Sequence, residues 1–424
     1  MNRTRYRIIF SKSRGQLMAV AETAHAHGKA GQGGRPENGI PAIADARFGM
    51  RHIARPIAAL LCLTLGLNPA LAQIIADSNA PASQQPTVLG DARSPLVNIQ
   101  TPSAAGVSRN TYSQFDVEPG GVVLNNSHHS NPWLMSGEAR VILNEVNSSN
   151  PSYLRGPITV NGVSAQVVIA NPSGIQVDGA SFVNATRATL TTGTPIMNNG
   201  DLSGFSVRQG AVDISGGGLA AADIPYTEIL SRAALIAGSV NARELNVTTG
   251  TQDIDYITGK LTPIAGDGEP RPVAIDTALL GGMYAGKITL LATEAGVGVR
   301  NAGTLSALNG QIIITADGQL QNTGGIRADV VSLATVSGDI DNSGTLSGEA
   351  MLLVAAAGDA HFSGGQSNNE GRVVLVSAGR DILFNSHVRV AGSGIDGQIQ
   401  LDAGRNIDLA EAGEIVAPGN VSLN

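Results

Sequence analysis

The residue pairs and clusters most able to do chemistry are few in this 424-residue chain. His128 and His129 could offer imidazoles to a metal, but neighbouring residues on a strand point to opposite faces and no third ligand stands nearby, so no metal site is expected. Asp339, Asp359 and Asp381 recur near turns and could attract calcium weakly, yet they do not follow the nonapeptide pattern of calcium-binding β-rolls. Gly392, Gly394 and Gly397 spell Gly-x-Gly-x-x-Gly, which binds dinucleotides only where it opens a helix inside a βαβ unit; here it precedes the strand-like run from Gln398 to Leu401. The chain contains no His-Glu-x-x-His and no phosphate-binding Walker loop. The expectation is a protein that is not an enzyme and carries no cofactor.

What must position these residues follows from composition. Gly contributes 53 residues, aromatic residues 3% and charged residues 14%, while hydrophobic residues reach 42%. Apolar content is therefore mostly aliphatic, which suits strands, and abundant Gly and Asn suit the turns between them. Charge is uneven. Residues 1–72 hold ten Lys+Arg against three Asp+Glu, so of the chain's 27 basic and 34 acidic residues, 17 and 31 remain beyond Ala72. That acidic remainder, with Lys260 and Lys287 its only lysines, excludes a nucleic-acid partner.

A leader explains the basic start. Ile57 to Leu67 form a short apolar run behind Arg47, Arg51 and Arg55, and Ala70-Leu71-Ala72 supplies the small-x-small cleavage pattern. The run is too short to span a membrane. Cleavage between Ala72 and Gln73 would remove Cys62, the single cysteine, and a lipid-modification role for Cys62 lacks the small residues it needs at Ala59-Leu60-Leu61. At 72 residues this leader exceeds the usual length of about 15–30.

From Lys287 onward, apolar runs begin near Ile288, Ile312, Val331, Leu352, Val373 and Ile399, and glycines recur at Gly296, Gly318, Gly338, Gly358, Gly379 and Gly404. Asn301, Asn322 and Asn342 mark a second corner. Units of about 20 residues cannot bury an apolar face alone, but stacking them makes a continuous core. The period predicts an all-β parallel β-helix (a solenoid), and the fold expected for the chain as a whole is a right-handed one with an N-terminal cap and short extra-helical hairpins. No segment has the sustained helical periodicity of a leucine-rich repeat, and a propeller blade would need about 40 residues. At about 4.8 Å per coil, the residues after Ala72 would make roughly 16 coils and a rod on the order of 75 Å. Asn and Gly at the corners are expected because corners require left-handed or otherwise strained backbone. The sequence reads as truncated at Asn424, in mid-rhythm.

Several runs carry a family resemblance. Met1 to Glu22 resembles the extended signal peptide region of very large Gram-negative exoproteins. Gly106 to Val117, Gly121 to Ser127, Asn131 to Ser152 and Ala165 to Gly193 resemble the secretion domain of two-partner secretion exoproteins. Ile224 to Ile236 and Ala274 to Leu305 are most similar to its filamentous haemagglutinin and contact-dependent growth-inhibition branch. The resemblance implies an extended signal peptide over 1–72 (extended region 1–22, apolar run and cleavage site 55–72), a secretion domain over 73–265 and haemagglutinin-type repeats over 266–424. It implies passage through the Sec machinery and then a cognate outer-membrane β-barrel transporter with periplasmic recognition modules. The exported chain would begin an adhesin stalk or, alternatively, a toxin-delivery stalk. Host and bacterial surface receptors both stay open as targets.

Two Asn-Pro motifs are the family's secretion hallmarks, each altered here. Asn131-Pro132-Trp133-Leu134 stands where Asn-Pro-Asn-Leu is usual, and Asn171-Pro172-Ser173-Gly174-Ile175 where Asn-Pro-Asn-Gly-Ile is usual. Asn-Pro fixes a tight turn, because Pro sets φ and the Asn side chain bonds backbone two residues on. The motifs either shape corners or touch the transporter. The first is expected to lean towards recognition and the second, flanked by Ile169 and Ile175, towards stability.

Overall fold

Alternating aliphatic and polar residues make each short run after Gln73 a strand with one buried face, and stacking buries those faces together. In a computed structural model of the chain, the structure describes residues 6–11, 16–21, 73–91, 93–364, 368–385, 388–410 and 413–424. Strands Tyr6–Ser11 and Gln16–Ala21 pair antiparallel as a separate small unit. The apolar run, Cys62, Ala70 and Ala72 lie outside the described residues; Gln73 is described and exposed.

The large unit is a parallel β-solenoid of about 14 turns with three faces. The first face begins with Leu96–Asn98, Val122–Asn126 and Pro157–Gly162, and the second with Val107–Phe115, Val141–Val146 and Ala165–Ala170. The third is an 11-stranded ladder from Ser152–Leu154 to Ile407–Leu409. Later coils run the first two faces together in long strands such as Thr304–Ala316, broken by a register shift between Ala307 and Gln311. Fewer turns form than the roughly 16 that length alone suggests at one coil per repeat, because residues are diverted into excursions outside the solenoid.

The periodicity anticipated the core. Ile288, Ile312, Val331, Leu352, Val374 and Ile399 stack in register and are all buried. One of these strands is shifted by a residue: Val374 points inward and Val373 outward, since successive side chains alternate.

Left-handed backbone is only part of how the corners are built. Gly296 does adopt φ +73°, but the later corner glycines do not. Gly338 is needed because a Cβ there would lie 2.4 Å from the carbonyl carbon of Gly318 in the coil below. The corner asparagines form a buried ladder instead. Asn301 Nδ2 donates to Asn322 Oδ1 (2.7 Å), Asn322 Nδ2 to Asn342 Oδ1 (2.6 Å) and Asn342 Nδ2 to Asn369 Oδ1 (2.9 Å).

Two additions complete the domain. Strand Ile74–Ala76 pairs antiparallel with Val107–Phe115, and Thr87–Leu89 with Leu96–Asn98, so the first coil's edges are capped. A four-stranded antiparallel sheet, Thr194–Asn198, Asp201–Val207, Gln252–Asp255 and Leu261–Pro263, lies outside the solenoid. Its Leu202, Phe205, Val207 and Ile254 pack on the outward side of the second face, against Val141, Leu143, Val168, Ala170 and Leu230. Strand Val141–Val146 is therefore buried on both sides. Buried Arg232 ties the sheet's exit to the coils through Glu294 Oε1 (2.8 Å) and the Asp267 and Gly268 carbonyls.

Candidate functional site

Both Asn-Pro motifs sit in the capped half and share one construction. After strand Val122–Asn126 the chain leaves the solenoid, and the backbone N–H of Asn131 donates to Ser127 O (2.8 Å). Asn131 is 1% exposed. Its Oδ1 accepts from the Trp133 N–H (3.0 Å) and its carbonyl from the Leu134 N–H (3.2 Å), closing the turn that Pro132 pre-sets. Its Nδ2 donates to the carbonyls of Ile99 and Asn125, both at 2.9 Å. Leu134 is fully buried beneath.

Asn171 repeats this arrangement and is 0% exposed. Oδ1 accepts from Ser173 N–H (2.9 Å), the carbonyl accepts from Gly174 N–H (3.0 Å), and Nδ2 donates to Asn150 O and Ser152 Oγ (3.0 Å each). Ser173 Oγ donates to Ser148 O (2.9 Å). Gly174 adopts φ +112°, a backbone conformation that favours glycine, and delivers buried Ile175 to the third face.

The motifs differ in what they display. Pro172 and Ser173 are half-buried between coils, whereas Pro132 is exposed, Trp133 is 44% exposed and Met135 is 93% exposed. Trp133 lies on the cap, its Nε1–H donating to Thr87 Oγ1 (3.1 Å) while Thr101 Oγ1 donates to its carbonyl (2.6 Å). Thr87 and Thr101 had no signal in the sequence, because their roles arise from the cap folding beside the turn.

The other candidate residues have local partners. His128 and His129 occupy a turn rather than a strand, so their rings lie together, with centroids 3.8 Å apart, and Nδ1 of His128 contacts Glu138 Oε1. That contact holds the Glu138 carboxyl below the usual range. Among the described residues no group of three or more His, Cys, Asp or Glu is placed to hold a metal. Gly392, Gly394 and Gly397 form a turn between strands Arg389–Gly392 and Gln398–Ala403.

The corner aspartates bind their own chain. Arg380 reaches Asp339 and Asp359 (2.7 Å each), Arg405 reaches Asp381 (2.7 Å), and each Asp Oδ1 accepts a backbone N–H from the next coil. Hydrogen bonding to Arg380 and to the Asp381 N–H holds the Asp359 carboxyl well below the carboxylate range. A depressed folded pKa contributes stability that is present above the unfolded pKa of about 3.9 and is lost as pH falls through the folded value. Asp359→Asn should flatten the loss of stability below about pH 4, measured as thermal midpoint against pH. An unchanged acid limb would show that the network carries no linkage.

The geometry is thus that of a capped parallel solenoid whose first turns carry two buried Asn-Pro turns. Residues 72–322 match the model of the TPS secretion domain family, and residues 1–44 match that of the Extended Signal Peptide of Type V secretion system. The chain belongs to the TPS secretion domain family: it is a two-partner secretion exoprotein, exported through the Gram-negative periplasm, and its domain implies a cognate outer-membrane transporter. It is 48% identical over 345 residues to a protein named Toxin CdiA from Yersinia pestis, covering 77% of this chain and 10% of that one. It is 40% identical over 344 residues to tRNA nuclease CdiA-2 from Burkholderia pseudomallei, covering 77% and 11%. The chain thus spans about a tenth of the length of these relatives. The crystal structure of the filamentous hemagglutinin secretion domain superposes with a TM-score of 0.52 at 27% identity, covering 83% of this chain and 99% of that one.

Proposed function

We propose that the segment from Gln73 to about residue 265 is read by the transporter through the exposed part of the first Asn-Pro turn, while the coils beyond it form a stalk. The observation that carries this reading is the contrast within one motif. Asn131 and Leu134 are buried and already bonded, whereas Pro132, Trp133 and Met135 are left on the surface beside the cap. The residues Asn171, Pro172, Ser173, Gly174 and Ile175 then act as a lock between coils. In this scheme the Sec machinery delivers the chain to the periplasm, the leader is cut between Ala72 and Gln73, and each emerging coil stacks on the last. Burial of apolar area at about 25 cal/mol per Å² biases threading outward without ATP.

The stalk begins a surface adhesin that meets a host or bacterial receptor. The likeness to proteins named as a toxin and a tRNA nuclease supports a second reading, a stalk that delivers a toxic effector. Co-expression tests the export scheme: the chain should reach the medium only when its transporter is present, and mass spectrometry should find Gln73 at its N-terminus. Transporter-independent release, or mature protein retaining Cys62, would contradict it.

A further inference from the structure

The first Asn-Pro turn is the middle of a surface loop, and one buried side chain closes that loop at its base. Residues 127–138 leave the solenoid after strand Val122–Asn126 and return at Ala139, just before strand Val141–Val146. Asn126 is 0% exposed. Its Oδ1 accepts from the Ala139 N–H (2.8 Å), and its Nδ2 donates to the Ala139 carbonyl (2.9 Å). An amide that donates to and accepts from one residue joins the two ends as a hydrogen-bonded pair does in a sheet. Nδ2 also donates to Val163 O (2.8 Å), in the turn one coil further on, so the base is tied to a second coil. At the surface a lesser tie crosses the same base, where His128 Nδ1 meets Glu138 Oε1.

Closing the base preorganises the tip. A loop whose ends are free loses conformational entropy when its tip is ordered against a partner, and a loop whose ends are already joined loses less. Asn131, bonded to the carbonyls of Ile99 and Asn125, and fully buried Leu134 hold the middle of the loop, while Pro132, Trp133 and Met135 stay on the surface. The side-chain hydrogen bonds of Asn126 go to Ala139 and Val163 and to none of these three. We infer that Asn126 is a positioning residue for transporter recognition: by locking the two ends of the loop together, it holds the surface of Pro132, Trp133 and Met135 in the form that docks. This rests on the reading, given above, that the transporter engages that surface.

A double-mutant cycle on export of the full chain through the cognate transporter, quantified against the periplasmic pool, tests this. Asn126→Ala alone should lower the exported fraction about fivefold, and amide exchange in the purified chain should quicken over residues 127–138. In the background of Pro132→Ala with Trp133→Ala, the same substitution should lower export by less than about twofold further, because a positioning residue acts only through what it positions. Should Asn126→Ala not fold, His128→Ala with Glu138→Ala loosens the same base from the surface; export should then fall about twofold, again only where Pro132 and Trp133 are present, and wild-type export by that pair would overturn the inference. Wild-type export by Asn126→Ala, unchanged exchange over residues 127–138, or an export loss of the same size in both backgrounds would also overturn it while leaving the role of Pro132 and Trp133 standing. Wild-type export by the Pro132 and Trp133 double variant would instead sink the reading beneath, and the inference with it.

Discussion

Asn171→Ala should lower the unfolding free energy of the exported chain by about 2–3 kcal/mol, because it leaves one buried and two part-buried groups without their partner, at up to roughly 1–3 kcal/mol apiece before relaxation. Asn150 O and Ser152 Oγ lose the Nδ2 donors, and Ser173 N–H loses its acceptor. Asn131→Ala should cost a similar amount through Ile99 O, Asn125 O and Trp133 N–H. The sequence suggested dividing the two motifs between recognition and stability; both asparagines are buried and bonded in the same way. Chemical denaturation monitored by the fluorescence of Trp133, the single tryptophan, reads the capped end directly. A loss below about 1 kcal/mol for both variants would mean that the turns relax into other bonds.

Phe205→Ala should cost about 3–5 kcal/mol, the range for truncating a buried aromatic. Phe205 is 0% exposed, and its ring meets Tyr256 edge-on at 5.4 Å where the extra-helical sheet lies on the coils. The damage should stay local, since each turn of a solenoid is stabilised mainly by its neighbours. Hydrogen exchange should therefore speed up in residues 194–207 and 252–263 and remain unchanged in strand Gly325–Thr335. Faster exchange throughout would show that the sheet supports the whole rod.

The solenoid was legible because its repeats alternate strictly: Lys287–Ala292 is buried at every second residue, and the Gly and Asn corners punctuate it. The covering sheet was less legible. Its signal is the uninterrupted burial of Val141–Val146 and nearly continuous burial of Ala165–Ala170, strands covered on both faces, and such runs do not tell which residues do the covering. The Asn-Pro turns could be read as turns from sequence. The burial of Asn131 and Asn171 could not, because it depends on carbonyls of Ile99 and Asn150, 32 and 21 residues away. The Arg380 and Arg405 pairs that occupy the corner aspartates were hidden for the same reason: they join residues one or two coils apart.

The most direct test of the account separates the surface of the first turn from its lock. Pro132→Ala combined with Trp133→Ala keeps Asn131 and the backbone donors and acceptors of the turn, and removes the exposed Pro132 ring that pre-sets it together with the Trp133 ring and its bond to Thr87. Stability should stay within about 1 kcal/mol of wild type, the range for a surface change. The fraction of chain exported through the cognate transporter, quantified against the periplasmic pool, should fall about tenfold, as expected if about 1.4 kcal/mol of docking free energy is lost. Export at the wild-type level with stability intact would contradict recognition through this surface.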